Sequence, residues 1–223
     1  MKGKRTLRKT KARWQRIVGW ALITAALGGI LFFSYEQLWT NHVSHKNAEA
    51  YAQGLKNEWQ LPSKQTGPRI GQGFALLYIP RLKDDVWELP VLHGTDPEQL
   101  DIGAGHYTNT RMPGDAGNFA MAGHRSTHGQ PFAHFERLRA GDRVIIATRD
   151  NWFTYVLDFD AQVTPDDAWV LEDNPGGIAN KVGSDKIITL TTCTPRYGSS
   201  GRWIWWGHLV ESAPIKDIPA DVQ

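Results

Sequence analysis

The longest uninterrupted apolar run lies near the N-terminus, where Ile17 to Tyr35 (IVGWALITAALGGILFFSY) contains no charged residue. Wound as an α-helix, it is about 28 Å long, close to the ~30 Å hydrocarbon core of a bilayer. Trp14, Tyr35 and Trp39 flank it at the level where interfacial aromatics belong. The pattern therefore predicts a transmembrane segment over residues 17–38. Residues 41–59 are read as a helical stalk, and 62–73 (PSKQTGPRIGQG) as a turn-rich linker. Together, 39–73 are read as a stalk and linker. Gly71 and Gly73 within it lack the Gly-Lys-Ser/Thr chemistry of a phosphate loop.

From Phe74 onward the apolar period shortens. Runs such as FALLYIP, VWELPVL, NFAMAGHR, DRVIIATR and NWFTYVLDFDAQV are separated by Gly, Pro, Asn and Asp. Apolar and polar positions alternate strictly over Trp152 to Asp160, and Arg149-Asp150-Asn151 predicts a tight hairpin before it. Short helical or turn segments are predicted at Pro97 to Leu100 and Pro131 to Leu138. Many short strands punctuated by turns predict an all-β domain, a sandwich or a barrel, over residues 74–223. The last two runs, Ile187 to Thr192 and Trp203 to Val210, enclose a Pro/Gly/Ser turn. Alternation on the second puts Trp203 and Trp205 on one face and Trp206 on the other.

Charge adds a direction. The net charge of +2 hides eight cations ahead of residue 17 (Lys2, Lys4, Arg5, Arg8, Lys9, Lys11, Arg13 and Arg16) with no acid among them, so the remainder carries −6. A basic tail over 1–16 with a mildly acidic body does not suit a nucleic-acid binder. It suits a tail held at an anionic inner leaflet, with the body on the far side of the membrane. A cleaved signal peptide is the rival reading, with Ala48-Glu49-Ala50 as a small-residue site. That site lies too far beyond the apolar run, and Glu36 and Lys46 intervene.

The protein has one cysteine, Cys193, and so no internal disulfide. It sits at the end of one predicted strand, with Arg202 at the start of the next, which brings a thiol close to a fixed positive charge. That setting favours the thiolate, the reactive form. His124, at the end of the NFAMAGHR run, is the candidate general acid/base. A metal at His124, His128 and His134 is disfavoured, because no cysteine or acid follows at ligand spacing. The acids Asp84, Asp85, Asp158, Asp160, Asp166 and Asp167 form no EF-hand-like loop.

The segment TLTTC with an arginine nine residues after the cysteine, together with NFAMAGHR upstream, resembles the signature of the sortases, membrane-anchored cysteine transpeptidases of Gram-positive bacteria. The resemblance spans about Phe74 to Val210 and implies an eight-stranded β-barrel with short helices behind a single N-terminal membrane helix. It implies Cys193 as nucleophile, His124 as acid/base and Arg202 as the oxyanion or substrate clamp. No metal or organic cofactor is implied. The run Gly103 to Arg125, with its Gly-His-Tyr element, is most similar to class E, the type associated with LAxTG rather than LPxTG sorting signals. On that basis Tyr107 is an expected substrate-binding residue; Thr192, beside the thiol, and Trp203 are expected with it, Trp203 as a hydrophobic wall on one face of a run whose default is core packing. Thr194-Pro195 departs from the His-Pro pair common after the class E cysteine and resembles class C.

The implied partners are surface proteins bearing a C-terminal LAxTG- or LPxTG-like signal and the amine of a lipid-linked cell-wall precursor. The alternatives are a pilin lysine as acceptor, or a silent barrel that binds surface proteins. The expected location is the cell membrane, single-pass, with the N-terminus cytoplasmic and the catalytic domain outside.

Overall fold

The computed structural model describes residues 3–35, 39, 41–62 and 67–223, in two compact units, Met1–Thr40 and Asn41–Gln223. The first contains one helix, α1 (Gly3–Ser34). Its Arg13–Ser34 portion, of mean hydropathy 2.0 and with none of it buried, is long and apolar enough to cross a membrane. The last positions of the expected span, 36–38, and residues 63–66 of the expected linker lie outside the described residues.

The second unit opens with α2 (Asn41–Trp59) and then builds eight strands: β1 (Gly73–Tyr78), β2 (Leu89–His93), β3 (Ala104–His106), β4 (Gly117–Ala122), β5 (Arg143–Thr148), β6 (Asn151–Val163), β7 (Lys186–Thr194) and β8 (Gly201–Pro214). Two short helices intervene, α3 (Pro97–Leu100) and α4 (Ile178–Val182). The strands close into a barrel in the order β1-β2-β3-β4-β7-β8-β6-β5. Two joins are parallel, β2 with β3 and β4 with β7, and the others are antiparallel. The hairpin expected at 149–151 joins β5 to β6. The expected helical stretch 131–138 is mostly turns, with a 3₁₀ turn at Phe135–Arg137 that buries Phe135.

Strand period explains why the runs read as almost wholly apolar. Successive side chains point to opposite faces, and here both faces are covered along much of the sheet. In β1, Ala75 and Leu77 fill the barrel, while Leu76 and Tyr78 face outward beneath α2. In β5, Val144 and Ile146 point in, and Ile145 and Ala147 point out. On β8, Trp205 fills the barrel with Trp203 packed beside it, whereas Ile204 and Trp206 belong to an outer cluster with Ile178 of α4.

The segment read as stalk and linker contributes a packed element. Ala52 and Leu55 of α2 are buried against Leu76, Tyr78, Ile145 and Trp152. The approach is close: the Gly73 N–H donates to the Tyr51 hydroxyl at 2.8 Å, and a Cβ on Gly73 would lie 2.5 Å from the Tyr51 ring. Glycine at position 73 is therefore a steric requirement of the α2–β1 contact.

Candidate active site

Strand register pairs two of the three chemically expected residues and leads the third from the end of a neighbouring strand. Cys193 of β7 is paired directly with Arg202 of β8. On the other side of β7, Ala122 of β4 pairs with Thr191 in parallel. His124 follows two residues beyond the end of β4, on the loop that leaves this side of β7. Adjacent strands lie about 4.8 Å apart, so histidine, cysteine and arginine emerge from the ends of three neighbouring strands, with the thiol in the middle.

Each of the three is held by its surroundings. The Gly123 N–H donates to the Thr191 carbonyl at 3.1 Å, and the Thr192 hydroxyl donates back to the Gly123 carbonyl at 2.8 Å, fixing the residue before His124. The His124 carbonyl accepts from the Phe132 N–H at 3.0 Å. Burial, reinforced by neighbouring His128, pushes the His124 pKa below the usual histidine value, while Asp101 pulls the other way. The neutral imidazole is thereby favoured. Cys193 is half-buried and free. Arg202 donates through one terminal nitrogen to the carbonyls of Ser199 (3.1 Å) and Gly201 (3.0 Å), which anchors the guanidinium to the turn after a cis Thr194–Pro195 peptide.

The three residues expected to bind substrate are placed differently from one another. Tyr107, just past β3, is half-buried, and its hydroxyl lies 3.0 Å from that of Thr191, two residues before the thiol. Thr192 is 3% exposed, with its hydroxyl engaged by Gly123, so it orders the histidine segment. Trp203 pairs with Thr192 in register and packs edge-on against Phe135, and its indole N–H donates to Asp160 at 2.9 Å. It lines a groove of about 520 Å³ with Glu136, Asp158 and Trp205.

The structure adds residues whose neighbours are distant in sequence. Arg125 is 8% exposed and reaches from the histidine segment to the Thr194 hydroxyl (3.3 Å) and Glu136 (3.2 Å), with its guanidinium 4.9 Å from the Trp203 ring centre. It ties the loop after His124 to the residue after Cys193. Arg196 donates to the Gln130 side chain at 3.4 Å, a second tie between the same two loops. The disfavoured metal reading lacked an acid, and the fold supplies one: Asp101, after α3, stands near His124 and His128.

Next to Tyr107 in the chain, a buried imidazole, His106, meets a half-buried one, His93. The His106 ring is fully buried, with its Nε2 3.0 Å from the Arg111 carbonyl and its Nδ1 2.9 Å from Nδ1 of His93. The carbonyl requires Nε2 to carry hydrogen, so Nδ1 of neutral His106 accepts from Nδ1–H of His93.

A model of the sortase domain matches residues 77–210. The chain is 40% identical to sortase SrtE1 of Streptomyces coelicolor over 208 residues, 89% of this chain and 58% of that one. It is thus little more than half the length of that relative. It is also 32% identical to sortase SrtE2 of the same organism, covering 96% of this chain and 89% of SrtE2. Among solved structures it is similar to sortase E from Streptomyces avermitilis, with a TM-score of 0.61 at 42% identity, covering 70% of this chain and 99% of that one.

Proposed function

The chain belongs to the sortase family, and from that premise we propose that it is a membrane-anchored cysteine transpeptidase of the class E type. The observation that carries the reading is the register of β7, with Cys193 directly paired to Arg202 and β7 flanked by the β4 end that leads to His124.

In the proposed reaction neutral His124 takes the Cys193 thiol proton as the sulfur attacks the carbonyl carbon of the threonine in a C-terminal LAxTG-like signal. The Arg202 guanidinium, always charged and a rigid donor, stabilises the oxyanion as it forms. Collapse breaks the C–N bond, and His124 gives its proton to the departing amine, leaving a thioacyl enzyme. An acceptor amine then attacks the thioester and loses its proton to His124, and the thiolate leaves. Tyr107 and Trp203 are assigned to the substrate side. Thr192 acts through the histidine segment that it braces. The acceptor is read as the amine of a lipid-linked cell-wall precursor. The eight cations ahead of residue 17 support a cytoplasmic N-terminus with the barrel outside.

The test incubates the full chain in detergent micelles with LAxTG and LPxTG peptides and an amine, followed by mass spectrometry. A transpeptidation product that disappears in Cys193→Ala is the expected result, with LAxTG preferred. Binding without cleavage by the folded wild type would replace the enzyme with a silent barrel.

A further inference from the structure

Asp101, His124 and His128 converge from two separate segments. Nε2 of His124 lies 3.8 Å from the Asp101 carboxylate and Nε2 of His128 lies 3.6 Å from the same oxygen. One ligand atom from each of the three falls within 4.8 Å of the others, and the two rings are 5.2 Å apart at 34°. The two imidazole–carboxylate contacts are longer than a hydrogen bond should be. Three lone-pair donors thus surround a small space without bonding across it. Tetrahedral coordination at 2.0–2.1 Å needs ligand atoms roughly 3.4 Å apart, a few tenths of an ångström closer than the two contacts to Asp101.

The geometry of His128 is built rather than incidental. Its backbone has φ +51°, in the left-handed region where non-glycine residues are uncommon. The turn that imposes this conformation is pinned on both sides. The Gln130 N–H donates to the Thr127 carbonyl at 2.9 Å, and the Gly129 N–H donates to the Asn41 side chain at 3.0 Å. The ring is presented toward Asp101, and its buried Nδ1 has no hydrogen-bond partner among the described residues. All three side chains keep partial solvent access, so a hydrated cation can reach them.

We propose that Asp101, His124 and His128 form a binding site for one borderline transition-metal dication, with zinc(II) as the reference ion and water in the fourth position, and that its occupancy silences the enzyme. Two imidazoles and one carboxylate suit zinc, and they suit calcium or magnesium poorly, since those prefer oxygen ligands. The second half of the proposal rests on the function proposed above. A metal on His124 takes the lone pair that must carry the proton between the leaving and the incoming amine. The metal is an inhibitor here, and no step of the reaction passes through it.

Binding and silencing are read separately on the full chain in detergent micelles. Cobalt(II) titration, followed by the visible bands of low-coordinate cobalt, and zinc competition against a chromophoric chelator report binding without reference to turnover. One equivalent is expected, with affinity weakened at least about tenfold in His128→Gln and, as a second variant, Asp101→Asn. Cys193→Ala should bind as the wild type does. Absence of binding, unchanged affinity in both variants, or loss of binding in Cys193→Ala would overturn the site. Zinc should suppress wild-type transpeptidation over the concentration range in which it binds, and the rate of His128→Gln, compared with its own zinc-free rate, should resist it. Saturation with zinc that leaves turnover intact would refute the silencing while leaving the site.

Discussion

Acidification should unfold this protein through His106 before its carboxylates matter. Burial, then the neighbouring His93, lowers the His106 pKa to about 4, against a partly compensating bond to the Arg111 carbonyl. A proton on His106 Nδ1 would also turn its only acceptor against the Nδ1–H of His93, 2.9 Å away. The folded pKa lies below the unfolded one, so the unfolded chain binds more protons in between. The stabilising contribution is therefore complete above about pH 6.5 and drains away as pH falls toward 4. Linkage gives a loss of about 2 kcal/mol between pH 8 and pH 5, approaching roughly 3.4 kcal/mol well below pH 4. His93 shifts in the same direction and adds to the trend. Urea unfolding of the full chain in detergent at pH 8, 7, 6 and 5, repeated with His106→Gln, isolates the effect. The variant should be less stable overall but flatter with pH by about 2 kcal/mol over that interval. Parallel pH profiles for the two proteins would refute the reasoning, because the acid sensitivity would then arise elsewhere.

Gly123→Ala should place a methyl group 2.8 Å from the Phe132 ring. The overpacking is worth about 1–3 kcal/mol, and the displaced His124 segment should lower kcat more than it raises KM, as steady-state peptide kinetics would show. Arg125→Met keeps the apolar stem but loses the bonds to Thr194 and Glu136. A tie worth about 1.4 kcal/mol predicts roughly tenfold slower turnover, and an unchanged rate would remove Arg125 from the site's support. Leu55→Ala, only 5% exposed on the face of α2 that meets the barrel, should cost about 2–3 kcal/mol and lower Tm by at least about 5 °C in a thermal melt. An unmoved Tm would mean that α2 does not melt with the barrel.

What could be read from the chain was local. Alternation and turn chemistry located β5, the 149–151 hairpin, β6 and the split of Trp203 and Trp205 from Trp206. The motif around Cys193 and the position of Arg202 pointed to one site, because a single hairpin joins them. Contacts made across long sequence separations were not legible. A helix over 41–59 could be read from the chain, but not that Tyr51, Ala52 and Leu55 share the face that lands on β1, because no local pattern says what a helix will cover. Asp101 follows a turn in another segment, so spacing around His124 and His128 gave no sign of an acid there. Nothing local marks Arg125, because its partners, Thr194 and Glu136, are 69 and 11 residues away.

Closure of the sheet from β5 back to β1 has a consequence for how the enzyme can read an extended peptide. Many peptide-recognition domains capture their ligand as one more strand, spending main-chain hydrogen bonds that any sequence can offer. A ring of paired strands has no open edge on which to do this. On the proposed function, selectivity for a short signal comes from side chains and loops gathered at the strand ends, which makes the sequence of the signal, rather than the mere extension of its backbone, the thing that is recognised.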